Sequence, residues 1–184
     1  KWFNATRSGV APKSTARRIT SIRGFARWAG AGLIIMDYKA PKPAPPNANP
    51  LPGGIADVNR MIDKSRTHVG AALVGLCGLA GLRVGEAVDL SPGDIDFPRS
   101  QITVRGKGDV TRVLAMSDAL AGHLAPVFLH CLSSGSTRLI AMDERTARQL
   151  ITTLGERAGI TRRVASHDLR ATFATALYML TKDA

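Results

Sequence analysis

The sequence predicts a mostly α protein with one small antiparallel β-sheet, split into two lobes by a spacer. Three features carry that expectation. Apolar residues recur at helical spacing along most of the chain. Only two neighbouring short segments, 101–105 and 111–115, read as strands. Six of the ten prolines crowd into residues 39–54. A length of 184 residues accommodates one ordinary domain with a small appendage, and 45% apolar with 21% charged residues excludes a disordered or collagen-like chain. Aromatic residues make up only 5%, which argues against a β-sandwich.

The elements follow in order. Residues 14–29 predict a helix capped by Ser14, with Ile19, Ile22, Phe25, Ala26 and Ala29 as its apolar stripe and Gly30 as its end. Arg17, Arg23 and Arg27 are assigned to the opposite arc, either as a solvated face or as phosphate contacts, and Trp28 sits at its rim as an anchor against the spacer. The proline-rich stretch predicts extended, semi-rigid geometry and sets the domain limits: 1–38, a spacer at 39–52, and 53–184. Residues 55–66 predict an amphipathic helix with Ile55, Val58 and Ile62 inward, and 69–79 a helix apolar all round. A short helix at 84–90 ends at the turn Ser91-Pro92-Gly93-Asp94. The strands 101–105 and 111–115 are joined by Gly106-Lys107-Gly108-Asp109, and helices follow at 117–132, 143–158 and 166–180.

Charge narrows the function. The net charge is +11, and residues 1–43 hold nine basic residues against one acidic, so the expected partner is a polyanion. The uncharged run 69–82 has 14 residues, short of the roughly 20 needed to cross a membrane. Two cysteines, Cys77 and Cys131, form no C-x-x-C pair, and Lys1-Trp2-Phe3 leads into polar sequence and not a signal peptide. These features predict a cytoplasmic protein with no membrane association.

Several devices are set aside. Gly75, Gly78 and Gly81 match neither a dinucleotide fingerprint nor a phosphate-binding loop and read as small residues packed between helices. His123 and His130 lack the carboxylates or thiols of a metal site, and His130-Cys131 reads as core lining. The segment 133–136 reads as a loop. No metal and no organic cofactor is expected.

Four residues stand apart: Arg83 at a helix start, Lys107 at the tip of a glycine-flanked hairpin, and His167 with Arg170, spaced i, i+3 on the last helix opposite Leu169, Phe173, Ala176 and Leu180. The boxes that contain them are Gly81-Leu82-Arg83-Val84-Gly85-Glu86-Ala87, Ile102-Thr103-Val104-Arg105-Gly106-Lys107-Gly108, and Ser166-His167-Asp168-Leu169-Arg170-Ala171-Thr172-Phe173-Ala174-Thr175. In this order and separation the chain resembles the tyrosine site-specific recombinases of the phage integrase family across residues 53–184. Residues 1–38 are similar to part of that family's helical core-binding domain.

The resemblance implies cleavage and rejoining of DNA through a 3′-phosphotyrosine, on attachment-type sites in duplex DNA. The implied assembly is a homotetramer on synapsed sites, with DNA-bending host proteins as further partners. Arg83 and Arg170 would clamp the nonbridging oxygens of the scissile phosphate, since arginine presents a planar fork and keeps its charge. His167 would donate to those oxygens or shuttle the nucleophile's proton, and Lys107 would protonate the departing 5′ oxygen. Glu86 orients Arg83, or forms a structural salt bridge with a nearby arginine. Arg105 and Arg112 contact backbone phosphates or are solvated strand positions.

The family's nucleophile belongs to a later helix. Tyr38 precedes the spacer, and Tyr178 lies two turns beyond Arg170, where packing at the helix end is its expected role. The expectation is therefore a catalytic domain that is incomplete at residue 184 and inactive alone. Gly85 and Ala171 stand where the family often has Ser and His. The rival readings are a noncatalytic DNA-binding regulator of the same fold and a type IB topoisomerase-like nicking enzyme.

Overall fold

The computed structural model describes residues 12–30, 49–106 and 110–181, with side chains in the first helix from residue 18. Lys107 and Tyr38 lie outside the described residues, as does most of the proline-rich spacer. The chain divides into two compact units, Lys1–Asn47 and Ala48–Ala184.

In the first unit, helix α1 runs Pro12–Trp28. Ser14 therefore lies inside the first turn and does not cap it. Proline suits the start of a helix, because its φ is already helical and its missing N–H would be unpaired there anyway. Gly30, at φ 68°, closes the other end. Ile19 and Ala26 are buried, seven residues apart on one stripe. Phe25 is exposed, because six residues of helix carry it about 120° round from Ile19. Its ring meets that of exposed Trp28 at 5.8 Å. Arg27 is exposed, whereas Arg23, one turn after Ile19, is half-buried and not on the opposite arc.

The second unit is built around α3 (His68–Gly78). Around it pack α2 (Ile55–Asp63), α4 (Val84–Asp89), α5 (Asp118–Ser134), α6 (Glu144–Arg157) and α7 (Ser166–Thr181). Eight of the 11 residues of α3 are buried, and Leu73, Val74, Leu76 and Cys77 have no solvent exposure. An all-round apolar helix is stable only when other elements enclose it. Small residues let them approach: a Cβ on Gly75 would sit 2.9 Å from Leu120, and one on Gly78 2.6 Å from Val58.

Helix α2 stops three residues short of the expected 66, because Ser65 and Thr67 build the next helix start. The Thr67 hydroxyl accepts from the Gly70 N–H at 3.1 Å, and the Ser65 hydroxyl donates to the Thr67 carbonyl at 2.8 Å. Val58, Met61 and Ile62 are buried as the pattern requires, while Ile55 is half-buried. Asp57 is buried too, accepting from the Gly53 N–H at 2.8 Å and pairing with Arg60.

The sheet has three antiparallel strands in the order β1 (Ile95–Asp96), β2 (Gln101–Arg105), β3 (Thr111–Ala115). The first was not expected: two residues are too few for a period, and pairing with Ile102 and Gln101 creates it. Ile102 and Val104 face the core. Their cross-strand partners are Leu114 and Arg112, so the register places Arg112 on the inward face.

Other side chains also depart from expectation. His130 is exposed while its neighbour Cys131 is buried, so only the cysteine lines the core. Along α7, Leu169 is fully buried but Leu177, Tyr178, Met179 and Leu180 are exposed, because the helix runs past the elements that cover its first turns. Tyr178 is thus a surface residue. No described helix is long and apolar enough to cross a membrane.

Candidate functional site

Arg83 occupies the cap position before α4, where its backbone N–H has no helical partner. Glu86, three residues on, supplies one: Oε2 accepts the Arg83 N–H at 2.8 Å, and Oε1 accepts Arg83 Nη1 at 2.9 Å. The same carboxylate takes both terminal nitrogens of Arg112, at 3.1 and 2.7 Å. The Glu86 carboxylate therefore bridges Arg83 and a second arginine.

Burial pushes the Glu86 carboxyl up, but the Arg112 hydrogen bonds, the Arg83 N–H and side chain, and the Arg112 charge outweigh it, holding the carboxyl at about 2 against an ordinary 4.5. Beneath this cluster, burial and then the Glu86 charge push the Cys77 thiol up to about 12, so it is an inert core group.

Arg170 is half-buried on α7 and donates to the Gly81 carbonyl. Gly81 has φ +67°, and a Cβ there would stand 2.4 Å from the Phe173 ring. Glycine at this position both turns the chain from α3 towards Arg83 and admits α7 closely. Within the Ser166–Thr175 box, the polar residues divide by face. Asp168 and Thr172 are buried: Asp168 accepts from Ala165 N–H at 2.9 Å and from Arg162 at 2.8 Å, and Thr172 accepts from Leu51 N–H at 2.8 Å. Arg162 also donates to the carbonyls of Asn49 and Pro50, at 2.8 and 3.2 Å. Residues 49–51, drawn from the proline-rich stretch, are thereby pinned to the start of α7.

Of the expected catalytic side chains, the three that lie among the described residues line three separate depressions. Arg170 shares a cleft of about 320 Å³ with Gly81, Arg112, Phe173 and Tyr178. Arg83 lies in a larger one with Glu86, Arg105, Arg112 and Glu144. His167 is exposed and opens into a groove of about 850 Å³ with Arg145, Arg148 and Arg163. Arg112 belongs to the first two depressions, and the Glu144–Arg148 ion pair links the second to the third. Arg83 and Arg170 are joined through the turn 81–83.

Sequence reasoning missed the His167 groove. Its only signal was Arg145 and Arg148 at helical spacing just after Asp143, which caps α6 through the Thr146 N–H at 2.9 Å. Arg105 is exposed and 3.6 Å from Asp94. Arg112 is not a solvated strand position. It shares strand parity with inward Leu114, a sign present in the sequence.

A family model described as the phage integrase family matches residues 56–182. The chain is 28% identical over 198 residues to tyrosine recombinase XerD of Bifidobacterium longum, covering 92% of this chain and 64% of that protein. It is 32% identical over 185 residues to tyrosine recombinase XerA of Thermococcus onnurineus, covering 92% and 62%. It thus spans less than two thirds of these relatives. Among solved structures, a XerA recombinase superposes with TM-score 0.64 at 27% identity, covering 97% of this chain and 66% of that one. The DNA-bound lambda integrase fragment 75–356 gives TM-score 0.64 at 14% identity, a likeness of fold, over 90% of this chain and 64% of that one. With the match covering most of the second unit, this chain belongs to the phage integrase family.

Proposed function

We propose that this protein is a site-specific tyrosine recombinase that grips duplex DNA and cleaves and rejoins it through a 3′-phosphotyrosine. The observation that carries this reading is the joint anchoring of Arg83 and Arg170 on either side of the turn 81–83. Phosphoryl transfer builds charge on nonbridging oxygens, and guanidinium groups fixed in advance stabilise that charge without reorganising. His167, and Lys107 between β2 and β3 in the sequence, complete the donor set in this reading. The His167 groove, with Arg145, Arg148 and Arg163, receives flanking backbone phosphates, together with Arg17, Arg23, Arg27 and Arg105. The same reading places the protein in the cytoplasm, of phage or mobile-element origin, assembled as a tetramer on two synapsed sites with DNA-bending host proteins.

The test begins by selecting the target from a randomised duplex library. Arg83→Ala and Arg170→Ala in the complete gene product are expected to reduce cleavage of a suicide substrate by about 10²–10³ or more while affinity holds. Equal losses of affinity and cleavage would count against a transition-state role. Tyr178, exposed on the same helix as Arg170, has no nucleophilic part, and a phosphotyrosyl adduct on it by mass spectrometry would overturn that assignment.

A further inference from the structure

We propose that Arg112 is a positioning residue. By holding Glu86 with both terminal nitrogens it fixes the carboxylate that orients Arg83, and so ties β3 to the first turn of α4. This rests on the reading of Arg83 as a phosphate-binding group.

The geometry is specific. Glu86 Oε1 accepts from Arg83 Nη1 and Arg112 Nη1, and Oε2 from the Arg83 N–H and Arg112 Nη2. Each oxygen thus takes two donors, which uses the carboxylate's accepting capacity in full. Two parallel N–H···O bonds from one guanidinium also fix the plane of the carboxylate, which a single contact does not. The side chains differ in exposure as the roles require: Glu86 9%, Arg112 31%, Arg83 58%. Both arginines line the depression, and Arg83 is the more open of the two.

Without Arg112, Arg83 and Glu86 would be a surface i, i+3 pair, which holds no single geometry in water. Inward placement of Arg112 follows from its pairing opposite Val104, so the support comes from the sheet and not from α4 itself. The other charges on this depression are Arg105, Asp89 and Glu144. Arg105 bridges to Asp94, Asp89 to Arg138 and Glu144 to Arg148, so none of these recorded pairs replaces Arg112 on Glu86.

Side-chain NMR on the 184-residue chain tests this with wild type, Arg112→Gln, Arg112→Lys and, as a control outside the depressions, Arg99→Gln. The readouts are the Glu86 carboxyl midpoint, the Arg83 Nε–H signal, and the response of that signal to a short random-sequence duplex. In Arg112→Gln the Glu86 midpoint is expected to rise from about 2 towards 4.5. The Arg83 signal moves to that of a freely rotating guanidinium, and its response to duplex falls by roughly threefold or more, as for residues coupled through a shared partner. Arg112→Lys keeps the charge but loses the fork, so it shows part of each effect, and Arg99→Gln leaves the Arg83 signal unchanged.

An Arg83 signal and duplex response unaltered in Arg112→Gln overturn the proposal. If thermal unfolding shows that variant to be unfolded, an unaltered Arg83 signal in Arg112→Lys does the same. A wild-type Arg83 signal that ignores duplex instead overturns the phosphate-binding reading, while dependence of the free-state signal on Arg112 still upholds the positioning role.

Discussion

The Arg170 guanidinium donates to the carbonyl oxygen of Gly81, 89 residues earlier in the chain and two before Arg83. One turn thus serves three elements: it ends the run from α3, begins α4 and receives the charged group of α7. The turn depends on glycine, through φ +67° and the 2.4 Å approach a Cβ would make to Phe173. Gly81→Ala is expected to destabilise the protein by about 1–3 kcal/mol through the left-handed backbone alone, with the overlap adding to it. Urea unfolding measures this, and a variant as stable as wild type would mean the turn relaxes without strain.

Glu86 makes stability depend on pH. Its carboxyl binds protons less readily folded, at about 2, than at its ordinary 4.5. The stabilisation is therefore complete above 4.5 and is lost as pH falls from there towards 2. Glu86→Gln removes it, so the variant should be less stable than wild type at pH 7, with the gap narrowing as the solution is acidified. A gap constant between pH 7 and pH 3 in denaturant titrations would contradict the assignment.

Thr172 holds the chain's entry into the second unit. Its hydroxyl accepts from the Leu51 N–H and donates to the Asp168 carbonyl, both at 2.8 Å and both buried. Thr172→Val preserves shape but leaves the Leu51 N–H without a partner, an expected loss of about 1–3 kcal/mol. Thr172→Ser should restore most of it. Amide exchange at Leu51 provides the local reading, and unchanged protection in the valine variant would rule the contact out as an anchor.

The groove beside His167 predicts salt-dependent binding. If Arg145 and Arg163 meet backbone phosphates, each alanine substitution lowers the slope of log K against log salt by about 0.9. Arg99→Ala is the comparison, an exposed arginine paired with Asp96 outside these depressions. Slopes that fall equally for all three would point to net charge and not to the groove.

Much of the architecture was legible in local pattern. The limits of β2 and β3 follow from two-residue alternation around a glycine turn, and the central position of α3 follows from its lack of any polar face. What escaped depended on contacts between distant residues. Strand β1 exists only by pairing with β2. The exposed end of α7 repeats the apolar spacing of its buried start, and nothing in that spacing records where the covering elements stop.

The candidate site divides the same way. Residue type and order in the boxes marked Arg83, Lys107, His167 and Arg170, because a phosphate-handling site needs permanent positive charge and donors from separate elements. Sequence alone also determined that Glu86 could reach Arg83, since three residues of helix bring them to one side. Tertiary structure decided that Arg112 completes that pair, that Arg170 rests on Gly81, and that His167 opens into a groove with Arg145 and Arg163. Periodicity reports which face of an element a side chain occupies, but only packing brings the faces of separate elements together.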